Sequence, residues 1–156
     1  MRLTKAGEYA VRCVLYLSAQ ERGIVVSRIE IAREMDIPDQ FLGKIAQQLS
    51  RSGILEILQG PKGGLRLSIL PEQLSLLQVI EAVMGEIFLN DCLLRPDSCR
   101  RSYTCTVHSV WEKARNQLRA TLREATFENL LKADTLQSGG CFSEINKNKV
   151  MHDDKA

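Results

Sequence analysis

The chain has 156 residues, 44% of them hydrophobic and 26% charged, with 21 Lys+Arg against 19 Asp+Glu for a net charge of +2. That describes one domain, or one domain with an appendage, with enough apolar residues for a packed core and too little charge imbalance for wholesale disorder. No apolar run approaches the ~20 residues that span a bilayer, and Glu8 and Arg12 interrupt the start, so no signal-peptide core is read there and a cytoplasmic, non-membrane protein is expected. The near-neutral total excludes a binder of nucleic acid by bulk charge, though not a local basic face.

The predicted elements are mainly helical. Thr4 is an N-cap for a first helix to about Ala19, whose stripe Ala6, Ala10, Cys13, Val14 and Leu17 marks one buried face. Ser27 and Glu30 form a capping box that opens a short helix to about Met35. After a tight break at Asp36-Ile37-Pro38, a third helix runs to Arg51, with Phe41, Leu42, Ile45 and Leu49 inward and Gln40, Gly43, Lys44, Gln47, Gln48 and Arg51 outward. Strands at 54–58 and 65–69 bracket a Gly/Pro-rich tip, Gln59 to Gly64. Ser75 and Gln78 box in a helix to about Met84, ended by Gly85. Residues 86–104 lack a period and read as a long loop, which in a compact domain usually has a purpose. Val107, Val110, Trp111, Ala114, Leu118 and Leu122 then form the stripe of a long helix, Thr126 to Leu131 reads as a short final one, and beyond about Thr135 the Ser/Gly/Asn/Lys-rich chain reads as a flexible tail. The fold class is mainly α with a small β-hairpin.

Two helices joined by a tight turn and followed by a Gly-tipped hairpin outline a winged helix-turn-helix, whose second helix would enter the major groove of duplex DNA. Gln40, Gln47 and Gln48 can donate to and accept from base edges, while Lys44 and Arg51 can neutralise phosphates or reach guanine. Arg2, Lys5, Arg28, Lys62 and Arg66 add candidate phosphate contacts, and Gly63 and Gly64 would let the wing backbone approach closely. Residues 1–70 hold 10 Lys+Arg and 7 Asp+Glu, a net of +3, against −1 for the remainder. The alternatives are a solvated helix face beside an ordinary hairpin, or a winged helix used as a protein-binding platform.

The cysteines carry the second signal. Of five, Cys92, Cys99 and Cys105 fall within 14 residues as C-x6-C-x5-C, and His108 follows as C-x-x-H. Clustered thiols in a reducing compartment point to metal or redox chemistry rather than disulfide staples. Thiolates select zinc, copper(I) or iron–sulfur clusters. Gaps of six and five, in place of two close C-x2-C pairs, suit a bulky iron–sulfur cluster better than one small ion. A zinc site or thiol switch stays open. Cys13 reads as core and Cys141 has no assigned role. An enzyme using a nucleophilic cysteine with His108 lacks a third orienting group, so no catalytic residue is assigned.

Together, the opening MRLTKAGEYAVR, the wing QGPKGGLRL and the run from Cys92 to Trp111 resemble the IscR, NsrR and RirA (Rrf) family of winged-helix regulators over about residues 1–134. The resemblance implies a homodimeric transcription regulator, read as a repressor, that binds double-stranded promoter DNA under the control of an iron–sulfur cluster. Three divisions follow: a DNA-binding region at 1–70, a cluster-binding loop with dimerisation helices at 71–134, and the tail at 135–156. Cys92, Cys99 and Cys105 match the family's cluster ligands, and Val107–Leu122 its dimer helix. The C-x-x-H followed by Trp111 is similar to the IscR-like pattern and favours a 2Fe–2S cluster with His108 as fourth ligand. Glu8 stands where NsrR-like chains resemble a 4Fe–4S pattern with an acidic ligand from the partner subunit, and remains the alternative. The first cysteine gap is six rather than the common five, and Gln59 stands where relatives often carry arginine, which implies a different operator preference.

Overall fold

The computed structural model describes residues 3–136. Helix α1 spans Lys5–Ser18, with Thr4 Oγ1 accepting the Gly7 N–H at 3.2 Å, and α2 spans Arg28–Glu34, with Ser27 Oγ accepting from Glu30 N at 3.1 Å. Both caps satisfy orphan donors of a first turn, which is why the helices begin there. Helix α3 covers Asp39–Arg51. The turn between α2 and α3 closes because Asp36 adopts φ 51, the left-handed region that Asp tolerates better than most side chains. Ile37, 3% exposed, pins that turn to the core.

Strands β1 (Leu55–Leu58) and β2 (Gly64–Leu67) pair antiparallel, with Leu55 opposite Leu67 and Glu56 opposite Arg66. Val26 joins the edge of β2 through a bridge to Leu65, with N···O distances of 2.9 and 2.8 Å in the two directions. This third piece of chain explains Gly64, and the turn's own backbone explains Gly63. A Cβ on Gly64 would stand 2.2 Å from the Val26 carbonyl oxygen, and one on Gly63 would stand 2.3 Å from that of Leu58. Backbone oxygens cannot yield as a flexible side chain can. Gly64→Ala is therefore expected to destabilise the protein by about 2 kcal/mol or more, read as a lower urea midpoint with an unchanged slope.

Helix α4 (Leu76–Met84) carries the full capping box: Ser75 Oγ accepts from Gln78 N at 3.3 Å and Gln78 Oε1 accepts from Ser75 N at 2.8 Å. Gly85 ends it at φ 81. The segment after α4 contains two short 3-10 turns, Asp91–Leu93 and Pro96–Ser98, and leads into α5 (His108–Glu124) and α6 (Phe127–Leu136). The final helix is longer than the sequence pattern indicates.

Helix α1 is the hub. Its buried Ala10, Cys13, Val14, Tyr16 and Leu17 share one core with Leu42, Ile45, Ala46 and Leu49 of α3, Leu55, Leu65, Val79 and Phe127. Phe127 N donates to Leu74 O at 3.0 Å and Leu76 N to Ala125 O at 2.9 Å, so the start of α6 is stitched to the start of α4. A second cluster of Leu77, Ile80 and Ile87 takes up Leu118 and Leu122 of α5.

Candidate functional site

The reading helix α3 has a buried arc of Leu42, Ile45, Ala46 and Leu49. Gln40, Lys44, Gln47 and Arg51 are exposed on the opposite arc, as the ~100° step of a helix requires. Two sequence assignments at the border are corrected. Phe41 is not core. It is 43% exposed, with its ring edge-on to Tyr9 at 5.9 Å between centroids. Gln48 does not face outward. Its Nε2 donates to the Val83 carbonyl at 3.3 Å, tying α3 to the last turn of α4.

The remaining candidates for DNA contact divide by partner. Lys5 is exposed and pairs with Glu8 at 2.7 Å, whose carboxylate raises the lysine pKa through its hydrogen bond and charge. Arg66 pairs with Glu56 across the hairpin at 2.6 Å. Arg28 binds Asp39 through two hydrogen bonds. At the wing tip Gln59 and Lys62 are exposed, while Gly63 and Gly64 are half-buried for the packing reason above. Arg2, Cys141 and most of the 135–156 tail lie outside the described residues.

The thiols separate by environment. Cys13 is fully buried and burial pushes its thiol up to about 12, so it stays a neutral core residue. Cys92 lies in the first 3-10 turn and is half-buried; Cys99 and Cys105 are exposed; all are free. Ser102, 6% exposed, closes the turn after Cys99 by donating its hydroxyl to the Cys99 carbonyl at 2.9 Å. His108 opens α5, and its backbone N–H donates to the Cys105 carbonyl at 3.1 Å. Its Nδ1 is buried and has no hydrogen-bond partner. Such an orphaned atom carries a desolvation cost of about 1–3 kcal/mol until something binds it.

Among the described residues no group of three or more His, Cys, Asp or Glu side chains is gathered closely enough to hold a metal ion. In donor chemistry the set nevertheless fits an iron–sulfur cluster: three free thiols on one stretch of chain, two of them exposed, and an imidazole nitrogen that lacks a partner. Glu8, the alternative fourth ligand, sits half-buried on α1 at the rim of an apolar groove with Arg12, Leu118 and Leu122.

Sequence reasoning missed what holds the end of α4 and the residues just after it to α5. Arg115 Nε donates to the Ile87 carbonyl at 3.0 Å and its guanidinium pairs with Glu86. Arg119 pairs with Glu81 and, at 3.4 Å, with Glu86. Glu81 Oε1 also accepts the Ile87 N–H at 2.9 Å. Farther along, with the Asn90 amide oriented to satisfy both its ends, its oxygen accepts from Trp111 Nε1 at 3.2 Å. Arginines four apart, Arg115 and Arg119, beside the apolar stripe of the helix were the available signal.

On α5 itself no residue is buried within one chain; Val107, just before it, and Val110 and Trp111 in its first turn are 45%, 57% and 41% exposed. No described helix is long and apolar enough to cross a membrane.

Comparison with known proteins matches residues 3–133 to the Rrf2 family model, described as an iron-dependent transcriptional regulator. The protein aau3 of Rhizobium meliloti is 34% identical over 135 residues, covering 85% of this chain and 86% of its own. The HTH-type transcriptional regulator NsrR of Halalkalibacterium halodurans is 27% identical, covering 88% of this chain and 96% of its own. Among solved structures, T. potens IscR superposes with a TM-score of 0.70 at 21% identity, covering 89% of this chain and 93% of its own, and shares the fold.

Proposed function

The chain belongs to the Rrf2 family of transcriptional regulators, and from that premise we propose that it is a homodimer whose binding to double-stranded promoter DNA is controlled by an iron–sulfur cluster. The observation that carries the cluster half is the buried, unpartnered Nδ1 of His108, three residues after the last of three free thiols. Cys92, Cys99, Cys105 and His108 would hold the cluster, a 2Fe–2S one, with Glu8 as the fourth ligand if it is 4Fe–4S. When bound, it supplies a centre that responds to iron supply, redox state or nitric oxide.

The rest follows from this chain's own residues. Val107, Val110 and Trp111 leave an apolar strip at the start of α5 that a second copy would cover. Arg115 and Arg119 fasten α5 to Glu81, Glu86 and the backbone of Ile87. Gln48 then fastens α4 to α3. In a dimer, the two α3 helices must meet major grooves about 34–36 Å apart. A change in how the cysteine stretch sits on α5 can therefore alter the placement of the reading heads, and affinity changes by as much as DNA distinguishes the two arrangements. Gln40, Lys44, Gln47 and Arg51 face the groove, and Lys5, Arg28, Gln59 and Lys62 flank it.

The test is iron and acid-labile sulfide per chain after anaerobic purification, with duplex binding followed against salt. About two of each per chain and an affinity that falls steeply with salt are expected. About four of each would transfer the fourth-ligand role to Glu8. Neither, even after anaerobic reconstitution, would leave a zinc-stabilised or thiol-switch regulator, a reading favoured by the exposure of Cys99 and Cys105.

A further inference from the structure

Asp39 is an acidic residue on the first turn of the helix that would face DNA, where a carboxylate repels phosphates. Its place is explained by Arg28. Arg28 Nε donates to Asp39 Oδ1 at 2.8 Å and Nη2 to Oδ2 at 3.0 Å, a bidentate fork joining α2 to α3. Both side chains are about half exposed, 50% and 56%, so the pair contributes little to stability. What it does is fix a guanidinium that would otherwise sample many rotamers.

Gly43 completes the arrangement. A glycine in a helix interior is unfavourable relative to alanine, and this one has no positive φ to excuse it. A Cβ built at Gly43 would touch only Arg28, at 3.5 Å from Nη1. A longer side chain would compete for the space the guanidinium occupies. On the helical wheel Asp39 and Gly43 border Gln40, Lys44 and Gln47, so the guanidinium lies along the edge of the polar arc rather than behind it.

We propose that Arg28 is a base-reading residue, held over the Gly43 gap by Asp39 and directed at a guanine in each half-site. This rests on the DNA-binding reading above and changes the role of Arg28 from phosphate contact to specificity determinant. Asp39 occupies the Nε–Nη2 edge of the fork. The end-on edge, Nη1 and the second Nη2 hydrogen, stays available for guanine O6 and N7, the commonest specific contact in the major groove. Asp39 is the positioning residue.

The experiment is selection from a randomised duplex library by the full-length protein as purified, followed by affinities at several salt concentrations for the preferred site and for single-base variants of it. Arg28→Lys keeps the charge and loses the fork. It is expected to reduce the preference for guanine at one position per half-site by about tenfold or more, with the salt slope unchanged. Asp39→Asn is expected to weaken the same preference while raising affinity for random-sequence DNA, because a repulsive charge is removed. Gly43→Gln is expected to raise the melting temperature by about 2–4 °C and yet flatten the same base position, so loss of fold cannot account for it. If Arg28→Lys weakens all sequences alike, or leaves the base profile intact, Arg28 is no more than a phosphate contact and the inference falls. If Asp39→Asn leaves the profile intact, its positioning role falls. If the wild-type protein shows no salt-dependent duplex binding, the DNA-binding reading itself fails and takes this inference with it, an outcome distinct from the others.

Discussion

Cys99→Ala is expected to reduce bound iron and sulfide to under about one tenth of the wild-type content while leaving the apoprotein's melting temperature within about 1–2 °C of wild type. The two halves come from different physics. Cys99 is exposed and free, so its side chain supports little of the fold. In the proposed cluster site its thiolate is one of three soft ligands on one stretch of chain. Cys13→Ala gives the reverse pattern. That thiol is fully buried in the main core and held neutral by burial, pushed up to about 12. Its loss should cost about 1–2 kcal/mol of stability with iron and sulfide unchanged. The comparison separates a ligand from a core cysteine by metal analysis and thermal melting on two purified variants. Iron retained at wild-type level in Cys99→Ala would remove Cys99 from the ligand set and leave His108 or Glu8 to complete a site with Cys92 and Cys105.

The difference between those cysteines was legible in the sequence, because it depends on local pattern. Cys13 falls on the three-and-four spacing of α1, whereas Cys92, Cys99 and Cys105 fall where no period exists. The helix starts at Thr4, Ser27 and Ser75 were equally legible, since a cap is decided by two or three neighbouring residues. What escaped depends on which elements meet. Phe41 sits one step off the buried arc of α3, where only the placement of Tyr9 decides whether it is covered. Gln48 is polar and looks outward by composition, but its amide finds a carbonyl 35 residues away. Gly63 and Gly64 read as a wing tip shaped for DNA, and the approach of Val26 and the turn's own oxygens already require them. The fork between Arg28 and Asp39 joins residues eleven apart on different helices. Thiol spacing announced a site, but no local rule could announce how the end of α4, just before it, is fastened to α5.

That fastening gives the second large effect. Arg119→Met is expected to destabilise the protein by about 2 kcal/mol, or about 4–8 °C in melting temperature. Arg119 and Glu81 are only 19% and 21% exposed, so removing the cation leaves a carboxylate with little solvent to replace it. Water still reaches the pair, which holds the figure below that of a fully buried one. Glu81 also keeps the Ile87 N–H, so the carboxylate is not wholly abandoned. A double-mutant cycle with Glu81→Gln should return a coupling of about 1–3 kcal/mol, because the two side chains are in direct contact. The functional consequence is separable from the structural one. Glu81 and Glu86 bracket the end of α4, and Arg115 and Arg119 hold that end to the helix that follows the cysteines. If this link carries cluster state toward the reading heads, Arg119→Met should move the ratio of cluster-loaded to cluster-free DNA affinity toward one, at temperatures where both forms are folded. A variant that melts early yet keeps the wild-type ratio would show that the arginines only brace the fold, and that the signal reaches α3 through the dimer contact of α5 instead.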